Sequence, residues 1–97
     1  MSVIRHLVIR GRVQGVGYRA FVEDAALDHG VAGWVRNRRN GEVEAVFAGP
    51  AAAVAQVTQA CGRGPRGARV DSVEEREATQ DELALCGSAR FAVLPTI

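Results

Sequence analysis

The sequence predicts an α+β domain: an antiparallel sheet of about five strands with two helices packed on one face, in a split β-α-β arrangement. Three observations lead there. Residues Ile4–Val13 alternate between a more and a less apolar side, two later segments repeat with the period of a helix, and two further strand-like runs flank the dipeptide Asn40-Gly41.

In the first strand, Leu7, Ile9, Gly11 and Val13 fall on one side, and His6, Val8, Arg10 and Arg12 on the other. The loop Gln14-Gly15-Val16-Gly17 follows. From Tyr18 to His29 the spacing is helical, with Phe21, Val22, Ala25, Ala26 and His29 along one stripe and Gly30 as the stop. Trp34–Arg38 and Glu42–Ala48 read as a strand pair. Asn40-Gly41 between them suits a tight turn in which both positions take positive φ. Val43, Ala45 and Phe47 are expected inward, Glu42 and Glu44 outward.

Gly49-Pro50 opens a second helix, since proline is accepted in a first turn; its buried stripe is Val54, Val57 and Cys61. Gly62–Gly67 is a loop. Arg69–Glu77 is charged and weakly alternating, as suits an edge strand. Phe91–Leu94 is a short last strand. The order strand, helix, strand, strand, helix, strand, with one strand more at the end, is that of ferredoxin-like domains. That fold hosts many unrelated functions.

The chain has 97 residues, enough for a single domain over 1–97. An apolar share of 47% and a charged share of 24% are those of a globular protein rather than a disordered one. The net charge of +1 gives no bulk electrostatic case for nucleic acid or a membrane surface. All 12 basic residues are arginine, whose fork suits phosphate and carboxylate, although a GC-rich genome enriches arginine too. No run is long enough to span a membrane and no apolar leader begins the chain, which points to the cytoplasm. Two scattered cysteines make neither a disulfide framework nor a zinc site, so Cys61 and Cys86 read as free thiols.

The segment Gly11-Arg12-Val13-Gln14-Gly15-Val16-Gly17-Tyr18-Arg19 carries the most chemistry. It leaves a strand, turns through two glycines and enters a helix. Such a turn can aim successive N–H groups inward as an anion nest, and the helix start adds unpaired N–H groups with partial positive charge. Arg19 in the first helical turn adds a bidentate fork. The plain alternative is a glycine-rich turn beside a solvated arginine. A Walker-type G-x-x-x-x-G-K-[ST] run and a full dinucleotide fingerprint are both missing, which disfavours a nucleotide enzyme.

That segment resembles the first signature of the acylphosphatase family. Gly33-Trp34-Val35-Arg36-Asn37 with Gly41-Glu42-Val43-Glu44 resembles the second, and Gly64-Pro65-Arg66-Gly67-Ala68-Arg69-Val70 is similar to the loop before the family's fourth strand. The resemblance implies hydrolysis of acyl phosphates without cofactor or metal. It implies a phosphate-binding loop of Gln14, Gly15, Val16, Gly17, Tyr18 and Arg19, with Arg19 as the essential phosphate ligand and Asn37 holding the attacking water. His29, Glu23 and Asp24, and the C-terminal Leu94-Pro95-Thr96-Ile97, depart from the usual pattern outside both signatures.

The chemistry suits these residues. A carboxylate leaving group, whose acid has a pKa of about 4, departs at neutral pH without a general acid. What remains is to gather charge on the phosphoryl oxygens and to place a water in line. Neither His6 nor His29 belongs to a catalytic constellation; at a helix end, His29 suits the dipole or a local hydrogen bond. Cys61 reads as a small core residue, and Cys86 as part of a loop. Arg36, Arg38 and Arg39 are either a solvated turn or a source of attractive potential. The alternative function is a non-catalytic ferredoxin-like module binding RNA or protein, for which five aromatic residues are a poor supply of stacking surface. The expected partners are a small-molecule acyl phosphate and its inorganic phosphate product, with no nucleic acid, no membrane and a monomeric chain.

Overall fold

A computed structural model describes residues 1–97. Strand β1 (Ser2–Arg12) leads through the glycine loop to helix α1 (Tyr18–Asp28), and strands β2 (Ala32–Asn37) and β3 (Val43–Pro50) follow. Then come helix α2 (Ala51–Arg63), strand β4 (Arg69–Glu77), a one-turn helix α3 (Gln80–Leu83) continued by a 3-10 turn (Ala84–Cys86), and strand β5 (Phe91–Val93). The sheet order is β4-β1-β3-β2-β5. The split β-α-β arrangement expected from the sequence is the one observed. The four longer strands pair antiparallel, whereas β5 joins β2 in parallel, so the sheet is mixed at that edge.

Alternation on the strands builds the core. Leu7, Ile9, Val35, Val43, Ala45 and Phe47 project from one face, against Tyr18, Val22 and Ala26 of α1 and Val54, Val57 and Cys61 of α2. Phe47 and Phe91 stack with ring centroids 6.1 Å apart. Burying side chains of this size contributes about 1.5–3 kcal/mol each before the entropy of ordering them is charged against it.

The other face of the sheet is partly covered. Trp34, on β2, is 1% exposed, and its indole N–H donates to the Glu82 carbonyl at 2.7 Å. The segment that covers it is α3 with its 3-10 turn, of which the sequence reading places only Cys86, in a loop. Thr79 and Glu82 form a reciprocal capping box, each side chain accepting from the other's main-chain N–H, at 3.1 and 3.0 Å. Cys86 therefore ends a 3-10 turn, half-buried, and is not in an open loop.

Glu44 does face away from the helices, but it is only 8% exposed. Its carboxylate accepts from Arg36 Nε at 2.8 Å and Arg38 Nη1 at 3.1 Å, and lies 2.7 Å from His6 Nε2. The Arg36 guanidinium also lies 4.7 Å above the Trp34 ring. Two of the three clustered arginines are thus engaged with Glu44 and are not a freely solvated patch. His29 meets its expectation: a ring nitrogen lies 2.9 Å from the Ala25 carbonyl one turn back.

Two local corrections concern turns. The β2–β3 connection is not a two-residue turn with positive φ at both centres. Arg38 and Gly41 close a turn (Gly41 N–H to Arg38 carbonyl, 3.1 Å), and Arg38 N–H meets the Glu42 carbonyl at 2.8 Å. Only Gly41 has positive φ, 95°, which is the three-residue loop with glycine in the bulge position. Pro50 closes β3 and caps α2 from outside, so the helix starts at Ala51.

Candidate active site

The loop after β1 turns through Gly15 (φ 72°) and Gly17 (φ 77°), left-handed conformations that any other residue would adopt only at a cost. Gly17 is also the N-cap of α1. It supplies no side-chain cap, and the first turn of the helix carries no acidic residue. The leading N–H groups of α1 are therefore unclaimed by the protein's own side chains, at the end of the helix that favours an anion. Arg19 is the second residue of that helix. The ion pairs of the fold engage Arg5, Arg10, Arg36, Arg38, Arg69 and Arg76, but not Arg19.

Asn37 is the last residue of β2, and the two elements meet in one cleft of about 300 Å³. Its walls are Val13, Gln14, Gly15, Gly17, Tyr18, Arg19, Ala20, Glu23, Asn37 and Val93. The Oδ1 atom of Asn37 is buried and has no hydrogen-bond partner. An unpaired buried acceptor costs about 1–3 kcal/mol, which a donor brought against it removes. Main-chain bonds fix the residue from the other side. Ile97 N–H meets the Asn37 carbonyl at 3.3 Å, and the next turn is held where Arg39 N–H meets the Ile97 carbonyl at 2.8 Å.

The cleft thus gathers Gln14, Gly15, Gly17, Tyr18, Arg19 and Asn37 from the expected set, but not Val16, which packs against the core. Two of the gathered residues turn their side chains to structural work. The Tyr18 hydroxyl donates to the Cys61 carbonyl at 2.8 Å, and burial pushes its ionisation far above the usual range. The Gln14 amide nitrogen donates to the carbonyls of Arg38 and Glu42 at 2.7 and 2.9 Å, bracing the loop against the β2–β3 hairpin.

Val13, Ala20, Glu23 and Val93 line the cleft without having been singled out for it. Glu23 follows Arg19 by four residues, so helical spacing alone puts both on one face. Val93 had no local signal, because its strand is placed by pairing with β2. No group of three or more His, Cys, Asp or Glu side chains converges anywhere in the fold. No helix is long and apolar enough to cross a membrane.

A glycine-turned loop, an uncapped helix start and an unpaired guanidinium, beside an unpaired amide oxygen, define a ferredoxin-like protein with the makings of an anion site. The acylphosphatase family model matches residues 5–92, and the chain belongs to that family. It is 52% identical to an acylphosphatase of Rhodopseudomonas palustris (strain BisB18) over 97 residues, covering 99% of this chain and 98% of that one. It is 54% identical to one of Nitrobacter hamburgensis with the same coverage. The solved acylphosphatase of Coxiella burnetii superposes with a TM-score of 0.84 at 29% identity, covering 96% of this chain and 93% of that one. Full-length likeness of this kind favours the enzyme over the binding module.

Proposed function

We propose that this chain hydrolyses acyl phosphates with the cleft between the 14–19 loop and Asn37, without a metal ion. The observation that carries this reading is the pairing, in one cleft, of an arginine without an ionic partner and a buried amide oxygen without a donor. The phosphoryl group sits at the start of α1, where the loop N–H groups and the Arg19 fork take up its oxygens. A water donates one hydrogen bond to Asn37 Oδ1 and is aimed at phosphorus. Its oxygen forms the new P–O bond as the bond from phosphorus to the acyl oxygen breaks, and the carboxylate leaves with the electron pair. Asparagine is too weak a base to take the water's proton, which passes to a phosphoryl oxygen. Charge gathered by fixed donors in a partly enclosed site is the main source of acceleration in such a step.

In this reading residues 1–97 act as one unit, as a cytoplasmic monomer, on a small acyl phosphate and with no nucleic-acid partner. The experiment is hydrolysis of benzoyl phosphate by purified protein in excess EDTA, with Arg19→Ala and Asn37→Ala alongside. Chelator-resistant turnover lost in both variants supports the mechanism. A folded wild-type protein that turns over nothing sinks it and returns the binding module to consideration, with salt-dependent RNA affinity as its mark.

A further inference from the structure

We propose that Glu23 selects the acyl half of the substrate, disfavouring acyl groups that carry a negative charge; the inference rests on the acylphosphatase reading of this cleft. Glu23 lies on α1 four residues after Arg19 and lines the same cleft, half-buried, whereas the adjacent Asp24 is exposed. No arginine or histidine pairs with it and no side-chain hydrogen bond involves it, unlike Glu42, Glu44, Asp71, Glu74, Glu75 and Glu82. Its charge is therefore not neutralised within the protein.

The position along the helix decides what that charge meets. Four residues of α-helix advance about 6 Å along the axis. The phosphoryl group belongs at the helix start, with Gly15, Gly17 and Arg19. The rest of the wall beyond that point includes Ala20, Glu23 and Val93, small or apolar except for the one carboxylate. An acyl group extending from the phosphate along that wall meets an uncharged surface and a single negative charge. A methyl or phenyl acyl group suits it, and one bearing an ammonium is drawn to it. An acyl group ending in a second carboxylate is repelled. Two like charges some 6–8 Å apart in a half-solvated cleft give about a tenfold effect on binding, shrinking as salt is added.

The test compares kcat/KM for acetyl phosphate and succinyl phosphate in wild type, Glu23→Gln and Glu23→Lys, at low and high salt, with inhibition by inorganic phosphate as the control for charge felt at the phosphoryl end. The expected result is a wild-type preference for acetyl phosphate that falls about tenfold in Glu23→Gln, inverts in Glu23→Lys and fades with salt. A ratio that stays the same in all three proteins overturns the assignment of Glu23 while leaving the enzyme reading intact. So does a loss of the preference matched by an equal change in phosphate inhibition, since the charge would then act on the phosphoryl group. Failure of the folded wild-type protein to hydrolyse either compound overturns the enzyme reading, and this inference with it.

Discussion

Gln14 donates its side-chain amide to the main-chain carbonyl of Arg38, 2.7 Å away, the residue directly after Asn37. A second bond from the same nitrogen reaches the Glu42 carbonyl at 2.9 Å. One side chain thus ties together two walls of the cleft, the glycine loop and the strand end that carries Asn37. Gln14→Ala is expected to lower stability by about 1–3 kcal/mol, two hydrogen bonds' worth. It is expected to lower kcat about tenfold or more, because misplacement by a fraction of an ångström is costly in a positioned reaction. Urea unfolding and steady-state kinetics on the same preparation separate the two effects.

In the proposed mechanism Arg19 and Asn37 differ in what their loss removes. Arg19→Ala should lower kcat/KM at least about a hundred- to a thousandfold and abolish competitive inhibition by inorganic phosphate, since the fork binds ground state and transition state alike. Asn37→Ala should lower kcat on a similar scale and leave the phosphate inhibition constant nearly unchanged. Abolition of phosphate binding by Asn37→Ala would show that the roles are not divided in this way.

Stability should fall in acid through Glu44. Burial alone would raise its pKa, but the hydrogen bonds from His6, Arg36 and Arg38 outweigh burial, and the carboxyl is held below its ordinary 4.5. A folded pKa below the unfolded one means stability that is fully present above the unfolded value and lost as pH falls through the folded one. Glu44→Gln should therefore cost about 2–4 kcal/mol at neutral pH and lose less on acidification than the wild type does. Urea midpoints at about pH 7 and about pH 3 provide the comparison.

The two thiols should differ in reactivity by orders of magnitude. Cys61 is 1% exposed, and burial pushes its pKa up to about 12, so little thiolate is present or reachable. Cys86 is half-buried at the end of the 3-10 turn. A disulfide reagent should modify one thiol per native chain, and the second only at the rate of global unfolding. Rapid modification of both thiols, or rapid modification of the single thiol left in Cys86→Ser, would contradict this.

Periodicity made the long elements legible: the strand through Leu7 and Ile9, the helix stripe through Val22 and Ala26, and the strand through Val43 and Phe47 all follow the expected spacing. Features fixed by a few residues or by distant pairing were not. Asn-Gly occurs in both two- and three-residue hairpin loops, and what tells them apart is the lack of positive φ at Asn40 and the pairing of Arg38 with Glu42. The turn over residues 80–86 is too short for a periodic signal, although Thr79 and Glu82 spell a capping box. The parallel pairing of β5 depends on β2, far away in sequence. At the site, the loop chemistry could be read from two glycines and Arg19. Nothing local to Asn37 marks its amide as unpaired; that emerges only when β2 ends beside the loop.

Trp34 is the sole tryptophan of the chain. It stands three residues before Asn37 on the same strand, beneath the turn that accepts its indole proton through Glu82 and beside the guanidinium of Arg36. The molecule therefore carries one indole fluorophore, placed where the capped turn meets the strand that ends at Asn37. Its emission reports the seating of a single segment on a single strand, and no second indole blurs that signal.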